Sequence, residues 1–125
     1  MLGDHPIEVT LLATDFPTSR HFYAEKLGLE IERESEQAVT FRCGGESRLT
    51  VSASTVGTAD EQTQATWWVD DLAFELAQLR DRGVEITEYD TPQLRTEDGI
   101  FDTGEALHAW IVDPGKNVLG IGQFK

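Results

Sequence analysis

The side chains able to act as acid, base, ligand or stacking platform fall on three short apolar runs. In the first, Glu8, Thr10, Leu12 and Thr14 alternate with Ile7, Val9, Leu11 and Ala13. Successive strand side chains point to opposite faces. Glu8 therefore shares a face with Thr10, Leu12 and Thr14, away from the apolar face that must meet a helix. Gln64, Thr66 and Trp68 stand in the same relation to Ala65, Trp67 and Val69, and His108 and Trp110 to Leu107, Ala109 and Ile111. A carboxylate and an imidazole on polar strand faces are the parts of an acid–base pair, Glu8 as base and His108 as acid. Trp68 and Trp110 are the parts of an aromatic platform. Phe101, on the long connection 91–104, is placed to close over it.

The remaining chemistry-bearing residues point elsewhere. His5 precedes the first strand, and His21 lies on a helix surface. Cys43 ends a strand with no adjacent His or Lys, which suits a buried thiol better than a nucleophile. One cysteine excludes an internal disulfide, and no Cys/His spacing matches a zinc site. No Ser/His/Asp signature stands out. Gly44-Gly45 and Gly120-x-Gly122 sit in hairpin and strand contexts rather than in a phosphate-cradling loop.

The 125 residues carry 10 Lys and Arg against 23 Asp and Glu, a net charge of −13. Such a surface repels phosphates, which argues against nucleic acid and anionic membranes; it would draw in cationic ligands, and it equally suits high salt or simple solubility. With 39% apolar and 26% charged residues the chain is globular, and no apolar run approaches the ~18 residues of a spanning helix. The opening MLGDHPIEV has neither a basic nor an apolar signal region, so a cytoplasmic location is expected.

Two stretches share one layout. Ile7–Ile31 and Gln64–Ile86 each open with a strand, reach an Asp followed by an apolar residue, continue as a helix of about three turns, and end in Gly-apolar-Glu-Ile. Asp15 can accept from the orphan amides of the first helix, and Pro17 suits its first turn. Phe16, Tyr23 and Leu27 mark one face of it, flanked by Phe22. Asp70 or Asp71 caps the second helix, on which Leu72, Leu76 and Leu79 recur at helical spacing. Gly28 and Gly83 fall where a left-handed C-terminal residue is wanted.

Beyond each helix the period changes to two. Strands are expected at Leu29–Glu34, Ala38–Cys43 and Ser47–Ser54, then at Val84–Tyr89, Ala106–Val112 and Asn117–Phe124. Asp113-Pro114-Gly115-Lys116 marks the last turn. The chain thus reads as an α+β domain, 1–125, of two tandem βαβββ modules, 1–54 and 64–125, joined by a polar linker over 55–63. The sheets curl into a cup with the helices outside.

Three segments carry a family resemblance. VTLLATDFPTSRHFYAEKLG (Val9–Gly28), WVDDLAFELAQLRDRG (Trp68–Gly83) and WIVDPGKNVL (Trp110–Leu119) resemble the vicinal oxygen chelate superfamily of glyoxalases, extradiol dioxygenases, fosfomycin-resistance enzymes and bleomycin-binding proteins. The family's Asp-Pro-x-Gly-Asn turn stands here as Asp113-Pro114-Gly115-Lys116-Asn117. The resemblance implies metal-ligand positions at Glu8, where His or Gln is usual, and at Gln64, where His is usual. A third falls on Gly120, where Glu is usual, and the first module's final strand offers only Thr50 or Ser52. A transition metal needs three or four convergent donors, so the inherited metal site is dismantled. A relocated one would need His108 with Glu8 and with Glu105 or Asp102.

The resemblance therefore implies a metal-free small-molecule binding protein similar to the bleomycin-type resistance proteins. It would be a homodimer holding a bulky aromatic or cationic ligand in a cup lined by Glu8, Thr10, Leu12, Gln64, Thr66, Trp68, Phe101, His108 and Trp110. The alternative is a glyoxalase-like lyase or dioxygenase-like enzyme, using a divalent metal (Ni, Zn, Mn or Fe) as Lewis acid or the Glu8/His108 pair. A third reading is an accessory domain with a vestigial cup.

Overall fold

A computed structural model describes every residue except Asp60, so that part of the expected linker lies outside the described residues. The chain divides into two compact units. In the first, β1 (Glu8–Ala13), β2 (Glu30–Glu34), β3 (Ala38–Arg42) and β4 (Arg48–Ala53) form a sheet of order β1-β4-β3-β2. Strands β1 and β4 run parallel, and the other pairs are antiparallel. In the second, β5 (Thr63–Trp68), β6 (Phe101–Asp102), β7 (Ala106–Val112) and β8 (Val118–Phe124) form a sheet of order β5-β8-β7-β6 with the same pattern of directions.

Each unit has a helix after its first strand, and both start as the capping residues require; a short 3-10 turn, Leu2–Asp4, precedes β1. Helix α1 (Phe16–His21) begins at Asp15, whose carboxylate accepts from Thr18 N at 3.3 Å and from Thr18 Oγ1 at 2.8 Å. Helix α2 (Leu72–Asp81) begins at Asp71, which accepts from Phe74 N at 3.1 Å; Asp71, not Asp70, is the cap. A π-helical turn, Phe22–Lys26, extends α1, with Leu27 N donating to Phe22 O. Gly28 and Gly83 then reverse the chain at φ of +70° and +81°.

The apolar faces bury as alternation requires except at Ile7, which lies before β1 and is exposed. Leu11, Ala13, Val39, Phe41, Leu49 and Val51 are buried in the first unit, with Phe22 and Tyr23 from its helical segment. The Tyr23 ring lies 5.3 Å from Phe22 and 5.8 Å from Phe41. Leu72, Leu76, Ala109, Ile111, Leu119 and Ile121 are buried in the second.

One expected strand is absent. Val84–Tyr89 forms no ladder; Thr87 N donates to Trp110 O at 2.9 Å. The edge of β7 is taken further along by β6, where Phe101 pairs His108 and Asp102 pairs Leu107. The reason is the inserted segment 91–104, which doubles back through the bridges Asp90–Arg95 and Glu97–Ile100 and returns its end to that edge. Gly99 N and Thr96 Oγ1 both donate to the Glu88 carboxylate, and Arg80 Nη2 donates to Asp98 O at 2.8 Å. Buried Gly99, at φ +83°, leaves no room for a side chain: a Cβ there would lie 2.4 Å from Ile86 Cγ2. Phe101 is thus a strand residue in register with His108, which corrects the expectation of a loop residue poised to close over a platform.

Two bulges move side chains that strict alternation misplaces. Between Ile31 and Arg33 the register of β2 slips, so Ile31 pairs Phe41 while Arg33 pairs Thr40. Between Thr63 and Ala65 the register of β5 slips against β8. An extra residue in one strand shifts everything beyond it by one face.

Candidate functional site

The polar face of the second sheet carries a row of rings. Trp68, on β5, stacks on Phe124, on β8, with centroids 4.1 Å apart and planes at 16°. Its other side meets the His108 ring edge-on at 5.8 Å. His108 in turn lies parallel to Trp110 at 6.0 Å. Trp110 ends the row against Tyr89 at 5.4 Å, edge-on, and Phe101 at 6.4 Å. Because β7 pairs with β8, His108 faces Gly122 and Trp110 faces Gly120 in register. Those glycines make the room: a Cβ on Gly122 would stand 2.5 Å from Trp68 Cζ3, and one on Gly120 would stand 2.8 Å from Thr66 Oγ1.

Such a row is unusual for a protein surface. Trp68 remains 51% exposed, whereas large aromatic side chains are mostly buried. Trp110 is half-buried, and its indole N–H donates to Thr63 Oγ1 at 3.2 Å. A cavity of about 530 Å³ lined by Glu88, Tyr89, Asp90, Arg95 and Thr96 includes Tyr89, the ring beside Trp110.

The expected residues of this unit therefore come together in part. Trp68, His108, Trp110 and Phe101 share the row, and Thr66 lies over Gly120. Gln64 falls in the bulge, exposed, with its amide donating to Gln62 O at 3.3 Å. Thr63, Tyr89 and Phe124 are additions. Phe124 was legible, since it follows Gly120 and Gly122 at period two. Thr63 was not, because only the bulge brings it to this face.

The polar face of the first sheet is charged instead of aromatic. Glu8 accepts from Thr50 Oγ1, from Thr40 Oγ1 at 3.5 Å and from Arg33 Nη2 at 3.4 Å, and the two threonine hydroxyls meet at 2.7 Å. Glu32 accepts from Arg48 Nε at 2.7 Å and from Arg42 Nη2 at 3.0 Å. The Arg48 hydrogen bond holds the Glu32 carboxyl below its ordinary range, against the opposing effect of desolvation. Thr10 and Leu12 pair in register with Thr50 and Ser52. Arg33, Thr40 and Arg48 complete a network that consideration of β1 alone does not show; the alternation of Ala38, Thr40 and Arg42 against Val39 and Phe41 carried its signal.

This donor set does not fit a divalent metal. The groups around Glu8 are hydroxyls and a guanidinium, and a cation already opposes its charge. Among the described residues no three His, Cys, Asp or Glu side chains are grouped to hold a metal ion. His108 shares no such group with Glu8, Asp102 or Glu105. Asp102 is engaged by Lys125 Nζ at 2.7 Å and by Gly104 N at 2.8 Å. Glu8 and His108 belong to different compact units.

Two tandem units, each a mixed four-stranded sheet with strand order reading first-fourth-third-second and a capped helix after its first strand, define a recognisable class. The sequence profile of the Glyoxalase/Bleomycin resistance protein/Dioxygenase superfamily matches residues 5–119, and the chain belongs to that family. Its fold is similar to that of a bleomycin resistance determinant encoded on the transposon Tn5 (TM-score 0.73, 23% identity, 95% of this chain and 97% of that one). It is also similar to a glyoxalase/bleomycin resistance protein/dioxygenase from Alicyclobacillus acidocaldarius (TM-score 0.74, 16% identity, 97% and 92%). A third similar structure is a lactoylglutathione lyase from Agrobacterium tumefaciens (TM-score 0.66, 19% identity, 95% and 96%). No curated protein sequence matches it. Among the described residues no helix is long and apolar enough to cross a membrane.

Proposed function

We propose that this chain is a metal-independent small-molecule binding protein that holds a planar aromatic, cationic ligand against the ring row of its second unit. The observation that carries this reading is Trp68, half-exposed yet stacked on Phe124 and edge-on to His108, beside a glycine that leaves it room. A pre-ordered row of rings offers a flat ligand stacking worth about 0.5–1.5 kcal/mol per ring pair beyond the area it buries. The net charge of −13 draws cations toward it. Homodimerisation, implied by the family resemblance, and a cytoplasmic location, expected from the opening residues, belong to the same reading.

The test is tryptophan fluorescence during titration with bleomycin, the ligand named in the family's description, and with a set of planar aromatic cations. Saturable quenching that Trp68→Ala and Trp110→Ala each weaken at least tenfold is expected. Elemental analysis after equilibration with Ni, Zn, Mn and Fe(II) is the second arm, with well under one ion retained per chain expected. Absence of saturable quenching by every compound, or about one tightly retained ion per chain, overturns the reading.

A further inference from the structure

At the centre of the ring row stands a titratable side chain, His108; the row's other titratable ring, Tyr89, stands at its end. The imidazole is half-buried between Trp68, edge-on, and Trp110, parallel to it. Among the described residues it makes no hydrogen bond and no ion pair, although both ring nitrogens are hydrogen-bonding groups. Its register partners are Phe101 on β6 and Gly122 on β8, neither of which titrates. The nearest charged pair along the sheet, Asp102 with Lys125, is in register with Leu107 and so falls on the other face. Tyr89 is separated from His108 by the Trp110 ring. No charged side chain therefore meets the His108 ring, which lies parallel to the Trp110 indole.

We propose that His108 selects the ligand by charge: as neutral imidazole it lets a planar aromatic cation lie along the Trp68–Trp110 row, and as imidazolium it repels that cation and releases it. This rests on the binding role proposed above and adds a polarity to it. Imidazole is the side chain that changes charge between about pH 5 and 8. Two like charges about 6 Å apart in a half-exposed setting weaken binding about tenfold.

The experiment uses two probes of similar shape, N-methylquinolinium, always cationic, and 2-naphthol, neutral across this range. Binding is followed by the NMR shifts of the indole N–H groups at pH 8.0 and 5.5. The quinolinium dissociation constant is expected to rise about tenfold on acidification, that of naphthol to change less than twofold, and the pH effect to vanish in His108→Gln. By linkage, bound quinolinium must also lower the pH at which the His108 ring protons titrate in the unmodified chain, a readout that needs no variant. A pH-independent quinolinium affinity, a pH effect that survives in His108→Gln, or a His108 titration indifferent to the probe overturns the proposal. If neither probe shifts any indole signal at either pH, the binding role itself falls and this inference falls with it.

Discussion

Gly122 shows how one missing methyl shapes a surface. Any Cβ there would stand 2.5 Å from the Trp68 ring, so the indole holds this position only because the residue is glycine. Trp68 is half-exposed, and the atoms such a Cβ would meet lie at the far end of its side chain. Gly122→Ala is therefore expected to cost under about 1 kcal/mol of stability, less than an overpacked core position would, while breaking the contact with His108. Thermal unfolding together with the bleomycin titration checks this: a nearly unchanged melting temperature with quenching weakened severalfold is the expected pair. Unchanged quenching would mean that Trp68 does not need its place in the row. Glu8 makes the complementary point. Its face was legible from alternation, but its engagement by Arg33 was not, because the β2 bulge that turns Arg33 toward Thr40 leaves no mark in a period-two pattern.

At the scale of elements, carboxylates tie the first unit together. Glu32 joins β2 to β3 and β4 through Arg42 and Arg48, and Glu34 joins β2 to α1 through Arg20. The hydrogen bonds from Arg48 and Arg20 hold the Glu32 and Glu34 carboxyls below the ordinary carboxylate range. A lowered folded pKa adds stability that is fully present above the unfolded value and disappears as pH falls through the folded one. The loss in melting temperature caused by Glu32→Gln at pH 7 is therefore expected to close as pH falls below the ordinary carboxylate range. Circular dichroism melts from pH 7 to 3 measure it, and a gap that persists at pH 3 would mean that Glu32 acts through packing and not through charge. Glu34, more exposed than Glu32, should show the same sign with a smaller gap. The element misread from sequence, Val84–Tyr89, has the apolar content of a strand, and its Val84 and Ile86 are indeed buried. What it lacks is an edge to pair with, and that vacancy was settled by a segment later in the chain.

For the whole molecule the excess of 23 acidic over 10 basic residues sets the sign of the salt response. Salt screens attraction and repulsion alike. Exposed ion pairs contribute about 0–1 kcal/mol each, and with too few cations to pair every carboxylate the uncompensated repulsion dominates. Raising NaCl from about 20 mM to about 0.5 M, which shortens the screening length several-fold, is expected to raise the melting temperature. A fall would show that the ion pairs outweigh the self-repulsion.

Local chemistry determined much of this protein without tertiary information. The Asp caps, the closing glycines, the two periodicities and the paired layout followed from backbone sterics and side-chain alternation, which act over a few residues. So did the placing of Trp68, His108 and Trp110 on one kind of face. The tertiary structure alone decided how those residues meet: which strand claims the free edge of β7, where a bulge turns Thr63 and Arg33, and that glycines on β8 lie beneath Trp68 and Thr66. These depend on groups far apart in the chain competing for the same hydrogen bonds and the same volume, and no window of sequence contains both competitors.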